Sequence, residues 1–299
     1  MAENTLAAKQ FKDSLELALQ QRDSKLSARC IVSTYQGEGA RMLGRLSAVE
    51  MQAVTSKRDP IVPTDTSWDM RWTAPSVWDL ALQLDRKEQA QSFSDPKSDF
   101  VNATRSAIER RKDKVFLEAI FGTALTGKNG TTAVPWATEG SGHIVAADFG
   151  SPGTASLLNT AKIREGLTML KESEVDPQYE DVFLAASARQ VNNLYNEAVI
   201  ISKDYSADAF TRNDKGIITS FMGIQFVPIE GLPSDGTYLQ LPMWTRMGMD
   251  FGTWGTPMTK MYEDEQFRGH PWTIYTYQSF SAARRDPKRI VEIKCKVSA

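Results

Sequence analysis

The feature that most constrains the fold of this 299-residue chain is a single long helical pattern over residues 95–127. Asp95 can accept hydrogen bonds from the free amides at the start of a helix, and Pro96 suits the first helical position. No further Gly or Pro interrupts the pattern before Gly122. At about 1.5 Å per residue, such a helix is at least roughly 40 Å long. We therefore predict a strut across the molecule, with a C-terminal cap at Gly127.

The two halves of this predicted helix differ in their apolar pattern. In the first half, one stripe faces away from the charged positions, and it consists of Phe100, Ala103, Thr104, Ala107 and Ile108. In the second half, residues 115–121 are apolar nearly all round. The sequence thus predicts one half-exposed end and one end inside a hydrophobic core.

Composition and charge exclude several classes of protein. The chain is 41% hydrophobic and 24% charged, which suits one large globular domain or two ordinary ones. Its net charge of -2 gives no bulk attraction for nucleic acid. Cys30 and Cys295 are predicted to be free thiols in a reducing compartment. Charges throughout residues 1–20 argue against a signal peptide, and no apolar run has the length of a membrane span, so we expect no membrane association.

Upstream of the long helix, the sequence predicts an arm followed by extended chain. Apolar residues recur at helical spacing over residues 4–22, which predicts a packing helix. Residues 34–66 lose this period and are rich in Gly and Pro, which is typical of a loop with short strands. The period then becomes two, with Trp68, Trp72 and Trp78 on apolar faces. These extended segments are either a projecting ribbon that a neighbour covers or an ordinary sheet within the domain.

Downstream of the long helix, residues 150–235 have the pattern of a compact α/β unit. The pattern predicts a helix over 156–172, a buried strand over 181–186, and a second helix that opens with capping-box spacing at residues 187–190. From Tyr238 onward the alternation is typical of β-strands. We expect these last strands to pack back on the long helix, which makes its domain discontinuous.

Signals for enzymatic chemistry are weak. The segment Gly122–Asn129 is one residue short of a phosphate-binding P-loop, but a helix precedes it and Asn129 replaces the hydroxyl that helps to bind magnesium. Two interpretations stay open: a phosphate site that uses Lys128, or the capped end of the long helix. Neither His143 nor His270 has a Cys or acidic residue at metal spacing, and no G-x-S-x-G elbow occurs. We therefore predict no catalytic residue, metal or cofactor.

A basic cluster lies near the C-terminus. Arg284 and Arg285 are separated from Lys288 and Arg289 by Asp286-Pro287, which predicts a turn that presents the four side chains together. The cluster is a candidate contact for an acidic neighbour or for packaged nucleic acid. The alternative is a solvated turn between two strands.

Taken in order, an arm, a ribbon, a strut helix, an α/β unit and returning strands resemble the major capsid protein of tailed bacteriophages, with its Hong Kong 97-type shell fold. The strut looks like the spine helix of that family, whose pattern is matched by Arg110, Asp113, Phe116, Leu117, Ala119, Gly122 and Gly127. The run WDLALQLDRKEQ looks like the return of the ribbon toward the spine. The ending SFSAARRDPKRIVEIKC is similar to the closing strand pair of podovirus-type capsid proteins. The resemblance covers nearly the whole chain.

The resemblance implies an α+β Hong Kong 97-like capsid fold with distinct parts. They are an N-terminal arm (1–44), an extended loop (45–85), a peripheral domain (86–149 and 236–299) that contains the spine helix (95–127), and an axial domain (150–235). The extended loop is implied to lie across the adjacent subunit. Its implied contact residues are Arg58, Asp65, Trp68, Asp69, Arg71 and Trp72.

The resemblance also implies a structural role rather than an enzymatic one. Copies of the chain are expected to form pentamers and hexamers that close an icosahedral head around double-stranded phage DNA, without sequence-specific binding. This virion capsid is expected to assemble in the host cytoplasm, with a separate scaffolding protein and with a portal protein at one vertex. Residues 236–299 contain no Asn that could join a loop lysine in a covalent cross-link, so we expect a noncovalent shell.

Two alternatives stay open. An encapsulin-like compartment has the same fold and stores a cargo enzyme. A cytoplasmic α/β enzyme that binds a phosphate ligand belongs to a different class of protein. Loss of function in Lys128→Ala with assembly intact would favour the enzyme.

Overall fold

A computed structural model of the chain describes most of its length. The described residues are 21–37, 40–46, 49–51, 53, 63, 66, 68–84, 97–196, 210–212, 218–267 and 270–297. The predicted helix over residues 4–22 lies almost entirely outside them.

Four α-helices occur among these residues. They are α1 (Lys97–Ile120), α2 (Trp136–Glu139), α3 (Thr160–Glu172) and α4 (Ala188–Leu194). Asn159 caps α3 and Ser187 caps α4, each by accepting a hydrogen bond from an amide in the first turn. The predicted helix start at Ser187 is thereby confirmed.

The long helix is confirmed, but its predicted end is wrong. α1 ends at Ile120 rather than at Gly127, because Ala124–Thr126 forms a strand and Gly127, with φ of 88°, lies in the turn that follows. Residues 95–96, at the predicted start, lie outside the described part of the chain. The predicted burial of the second half is confirmed for Val115, Phe116, Leu117 and Ile120.

The strands of the described chain number fifteen. In chain order they are β1 (Ile31–Tyr35), β2 (Ala40–Leu46), β3 (Trp68–Thr73), β4 (Ser76–Leu84), β5 (Ala124–Thr126), β6 (Thr132–Val134), β7 (Ile144–Val145), β8 (Val182–Ala186), β9 (Phe210–Arg212), β10 (Ile218–Phe221), β11 (Ile224–Pro228), β12 (Tyr238–Thr245), β13 (Met249–Glu263), β14 (Trp272–Arg284) and β15 (Ile290–Lys296).

The first sheet has the strand order β1-β13-β14-β4 and packs on α1. Its centre is a long antiparallel hairpin of β13 and β14. Met249 lies opposite Arg284 at the base of this hairpin, and Glu263 lies opposite Trp272 at its far end. On β4, the ring of Trp78 is covered by the guanidinium of Arg111 from α1, 3.7 Å from the ring centroid. Of the strands after residue 238, β14 thus packs back on the long helix, as predicted, whereas β12 and β15 belong to a different sheet.

The second sheet has seven strands in the order β7-β15-β12-β8-β11-β10-β9. β8 is buried along its whole length, and α3 packs on β15. Gly166 permits this close approach, because a Cβ there would lie 3.1 Å from Cε of Met243. The sheet therefore combines strands from residues 150–235 with strands from residues 86–149 and 236–299.

The third sheet, β2-β3-β5-β6, shows how the predicted extended segments are used. The strands predicted after residue 67 are confirmed as β3 and β4, but they do not pair with each other. β3 pairs with β2 and β5, whereas β4 pairs with β14 in the first sheet. Ala74 and Pro75 separate the two strands, and Pro75 has no amide hydrogen to continue a ladder.

Candidate functional site

The segment of residues 122–129 does not form a phosphate-binding loop. It contains β5 and the start of the turn to β6, so it lies in a hairpin and not between a strand and a helix. The carbonyl of Gly127 accepts hydrogen bonds from Nε1 of Trp72 at 2.7 Å and from the amide of Gly130 at 3.4 Å. Lys128 is exposed beside this turn. The helix-cap interpretation of Gly127 fails as well, because α1 ends well before it.

The histidines do not assemble a hydrolytic or metal site. Nε2 of His143 lies 3.4 Å from Oγ of Ser173, but Nδ1 of His143 is buried without a hydrogen-bond partner among the described residues. Burial lowers the pKa of His143. A Ser-His-acid triad needs a carboxylate at that second nitrogen. In the part of the chain that the structure describes, no group of three His, Cys, Asp or Glu side chains could hold a metal ion.

The side chain of Lys162 is fully buried on α3. Its Nζ donates to the carbonyls of Ala147 and Ser156 at 2.8 Å and to that of Lys294 at 3.1 Å. Nζ also lies 3.9 Å from Sγ of Cys295. Burial lowers the pKa of Lys162 and raises that of the Cys295 thiol to about 11. The lysine thus ties α3 to β15, and the thiol stays protonated at neutral pH.

We expect the contribution of Lys162 to stability to depend on pH. Because folding lowers its pKa, the unfolded chain binds more protons than the folded chain between that lowered value and the ordinary value of about 10.4. The free energy of unfolding of the wild type should therefore rise relative to that of Lys162→Met as pH increases through this window. The expected rise is about 1.4 kcal/mol for each unit by which the pKa is lowered. Urea unfolding of both proteins from neutral to alkaline pH measures it, and a difference that is constant with pH would contradict it.

Four arginines and four carboxylates form one continuous series of ion pairs, which we name the charge ladder. In order of contact its members are Arg284, Glu139, Arg71, Asp69, Arg45, Asp286, Arg289 and Glu180. The nitrogen-to-oxygen distance is 2.9 Å for Arg284 to Glu139 and 3.0 Å for Arg71 to Asp69. The ladder connects the predicted loop residues Asp69 and Arg71 to the predicted basic cluster within one chain.

Arg284 lies inside the protein, although the sequence placed it in an exposed cluster. Its side chain is 1% exposed. Its Nη1 donates to the carbonyls of Ile120 at 3.0 Å and Gly122 at 2.9 Å, and its Nη2 donates to that of Val134 at 3.3 Å. A cation at the C-terminal end of a helix satisfies carbonyls that have no partner within the helix. Arg284 therefore caps α1 and is not available to a partner molecule.

The rest of the basic cluster is closer to solvent. Arg285 and Arg289 are half-buried, and Lys288 is exposed. Asp286 accepts a hydrogen bond from the amide of Lys288 and caps a 3₁₀ turn over Pro287–Arg289, which confirms the predicted turn. Arg289 pairs with Glu180 and Asp286, whereas the side chain of Arg285 makes no ion pair with any residue that the structure describes.

The predicted spine residues fasten the start of the described chain to α1. Asp113 is buried and accepts four hydrogen bonds from residues 21–26. The donors are Oγ of Ser24 at 2.5 Å, the amides of Lys25 at 3.0 Å and Leu26 at 3.1 Å, and Nε2 of Gln21. Arg110 donates to the carbonyl of Gln21 at 3.4 Å, and Phe116 packs on Trp244 with 5.4 Å between ring centroids.

The predicted loop tryptophans differ in how they are covered. Trp72 lies against Gly130 in the β5–β6 hairpin, where a Cβ would come within 2.7 Å of Cγ of Trp72. Trp68 is 62% exposed. Leu46, directly opposite Trp68 in the β2–β3 ladder, is exposed as well.

Two further exposed residues, Val49 and Met51, follow Leu46 in the chain. We name the facing pair Leu46 and Trp68 the β2–β3 patch. The predicted loop contacts Arg58 and Asp65 lie outside the described residues.

Sequence reasoning missed several members of the charge ladder. Arg45, Glu139 and Glu180 lie in segments without helical or strand period, and their partners are distant in sequence. One local signal was available, because Asp286 belongs to the predicted turn and pairs with Arg289 three residues later.

The strut helix, the long hairpin sheet and the seven-stranded sheet together form a fold that occurs in solved capsid proteins. The chain belongs to the phage capsid protein family, whose model matches residues 3–297. This assignment confirms the resemblance read from the sequence, and it makes the chain a structural component of the virion capsid.

Solved capsid structures have the same fold. The capsid of cyanophage P-SCSP1u matches with a TM-score of 0.72 at 10% identity, over 98% of this chain and 94% of that chain. The capsid of Ralstonia phage GP4 gives 0.70 at 10% identity, over 99% and 97%. The capsid of cyanophage Pam1 gives 0.67 at 12% identity, over 100% of both chains. These likenesses confirm the predicted α+β capsid fold.

No curated protein matches the chain. None of the helices in the described ranges combines the length and the apolar character that a bilayer crossing requires.

Proposed function

We propose that copies of this chain assemble as pentamers and hexamers into an icosahedral head that encloses double-stranded DNA. In this proposal assembly takes place in the host cytoplasm, with a separate scaffolding protein, and a portal protein occupies one vertex. The observation that carries the proposal is the β2–β3 patch, in which large apolar side chains stand exposed at the open end of a strand pair. Exposed apolar clusters mark protein interaction sites, so the patch is suited to cover by a neighbouring subunit.

The proposed parts of the chain follow the capsid fold. Residues 1–44 are the arm, 45–85 the extended loop, 86–149 with 236–299 the peripheral domain, and 150–235 the axial domain at the centre of each capsomer. In this arrangement the part of the extended loop before β4 contacts the adjacent subunit, while β4 pairs with β14 in the chain's own sheet.

The charge ladder supports a specific division of work within the loop. Asp69 and Arg71 are paired within the chain, whereas Trp68, at the first position of β3, is exposed. A loop that is already fixed by contacts within its own chain loses less conformational freedom when it binds a neighbour. We therefore propose that Asp69 and Arg71 position the loop, that Trp72 holds it to the β5–β6 hairpin, and that Trp68 makes the contact.

Trp68→Ala is expected to impair assembly without unfolding the subunit. A tryptophan anchor at an interface contributes about 2 kcal/mol or more, so assembly should require at least about tenfold more protein. Size-exclusion chromatography and negative-stain electron microscopy measure the assembled fraction, and circular dichroism checks the fold. Tyr179→Ala is the matched control, because Tyr179 is an exposed aromatic residue outside the patch. A folded Trp68→Ala protein that closes shells as efficiently as the wild type would refute the role of the patch.

The wild-type particles distinguish the proposed head from an encapsulin-like compartment. We expect closed shells that contain nuclease-protected DNA when they are recovered from phage-infected cells. A protein cargo in place of DNA would favour the compartment. Because residues 236–299 contain no Asn for the covalent cross-link considered above, the shells should dissociate to single chains in denaturing electrophoresis.

A further inference from the structure

The base of the β13–β14 hairpin carries a small cationic cavity. Its volume is about 170 Å³, and its lining, which we name the arginine pocket, consists of Arg45, Met247, Arg285, Asp286 and Arg289. Three guanidinium groups thus face one carboxylate. Guanidinium groups favour bidentate contact with oxyanions, and a cavity of this size suits a carboxylate side chain.

The three arginines of the pocket differ in whether they form ion pairs within the described chain. Arg45 and Arg289 both bind Asp286, and they also pair with Asp69 and Glu180 respectively. The other two arginines of the charge ladder, Arg71 and Arg284, each form an ion pair with a carboxylate as well. Arg285 lies outside the ladder and forms no salt bridge with any described residue, and its charge acts only at longer range on the buried Asp250 and on Tyr35. The pocket therefore retains one guanidinium that an incoming carboxylate can bind.

An acidic segment lies at the opposite end of the same hairpin. Glu263, Asp264 and Glu265 are consecutive, and we name them the acidic tip. Oδ1 of Asp264 accepts a hydrogen bond from the amide of Gln266 at 3.1 Å, which fixes the turn beyond the strand end. Phe267 follows the tip, and more than half of its surface is exposed. Nearly half of the surface of Met247, at the pocket, is exposed as well. Each end thus combines charge with one exposed apolar side chain, and the charges are of opposite sign.

The two ends cannot meet within one chain. β13 runs from Met249 at the base to Glu263 at the tip. Fifteen residues of extended strand, at about 3.3 Å per residue, separate the two ends by roughly 45 Å. The tip can therefore reach only the pocket of another molecule.

We infer that the acidic tip of one copy docks in the arginine pocket of a second copy, with Glu265 against Arg285 and Phe267 near Met247. This inference rests on the proposed shell function and adds a specific contact to it. The contact joins two different surfaces, so each copy can donate one tip and accept another. Such heterologous contacts close into rings when the rotation between copies permits it, as the proposed pentamers and hexamers require.

Cross-linking tests this contact directly. Glu265→Cys and Arg285→Cys are combined in one chain, and the assembled protein is treated with a short bismaleimide, since a salt-bridged pair lies farther apart than the 4.4–6.8 Å between Cα atoms that a disulfide requires. The native Cys30 and Cys295 are buried with raised pKa values, so they should not react. We expect the double variant to give a series of covalent oligomers larger than the dimer, and we expect neither single variant to give such a series. Dimers alone, or no cross-linked species, would overturn the inference.

A charge exchange provides a second test that does not depend on the folding of the Arg285→Cys variant. Glu265→Arg should reduce the assembled fraction at least tenfold, and addition of Arg285→Glu should restore it. Glu172→Arg, at an exposed position at the end of α3, is the matched charge reversal and should leave assembly unchanged. Failure of the second substitution to restore assembly would count against the contact.

These tests separate the inference from the function on which it rests. Shells that form without the Glu265–Arg285 cross-link would refute this contact and leave the proposed function standing. A wild-type chain that stays monomeric at every concentration would refute both.

Discussion

Arg284→Met should lower the free energy of unfolding of the subunit by about 3–5 kcal/mol, which is the range for removing one partner of a buried ion pair. Methionine fills a similar volume but donates no hydrogen bond. The substitution leaves Glu139 without one of its two cations, and it leaves the carbonyls of Ile120, Gly122 and Val134 without this donor. Each buried polar group that loses its partner costs about 1–3 kcal/mol. Urea unfolding of the unassembled subunit, followed by circular dichroism, measures the change.

Two variants show whether the effect comes from this geometry. Arg284→Lys retains the charge but cannot direct separate nitrogens at a carboxylate and at three carbonyls, so we expect an intermediate loss of stability. Arg285→Met removes the adjacent arginine, which is half-buried, forms no salt bridge with a described residue and acts on the buried Asp250 only at longer range, so it should cost no more than about 1 kcal/mol. Equal stability of Arg284→Met and Arg285→Met would contradict the assigned role of Arg284.

Local patterns were sufficient to predict most of the individual elements. The apolar period identified α1 and the burial of its second half, alternation identified β3 and β4, and a short apolar run identified the buried strand β8. The end of α1 was mispredicted because Gly122 is the only Gly or Pro between Ile120 and Gly127, and it was not treated as the end of the helix. There the pairing of β5 with β3 and β6 overrides local propensity.

The candidate site was predictable only in part, because residues distant in sequence decide which of its side chains are buried. Trp68 and Trp72 occupy equivalent positions in the alternation of β3, yet only Trp72 is covered by the hairpin that contains Gly130. The same limit applies to Arg284, whose partner Glu139 lies 145 positions away. An arginine in a basic cluster has the local pattern of a solvated side chain, and only the tertiary structure shows its burial. Sequence therefore identified the loop and the cluster, but not which of their members remain free for a partner.

Asp113→Ala should release residues 21–26 from α1 and lower the free energy of unfolding by about 2–5 kcal/mol, since several buried donors lose their acceptor at once. The affected donors include the amides of Lys25 and Leu26, which have no side-chain freedom with which to find another partner. Because the segment contains Arg22 and Lys25, its release should also be visible as at least tenfold faster tryptic cleavage at these positions. Limited proteolysis with mass spectrometry, together with urea unfolding, measures both effects.

Two other substitutions on α1 show whether the effect of Asp113→Ala comes from the lost hydrogen bonds or only from the loss of a negative charge. Glu118→Ala removes an exposed carboxylate of α1 that pairs with Arg111 at 3.6 Å, and it should cost no more than about 1 kcal/mol. Asp113→Asn preserves the shape and one acceptor oxygen but loses the charge that strengthens all four hydrogen bonds, so its loss should be smaller than that of Asp113→Ala. Residues 21–26 belong to the proposed arm and lead into β1 at the edge of the hairpin sheet. We therefore expect their release to loosen the attachment of the arm to the rest of the subunit. Cleavage at Arg22 and Lys25 that is no faster in Asp113→Ala than in Glu118→Ala would show that the remaining contacts, such as that of Lys25 with the carbonyl of Pro228, are sufficient to hold the segment.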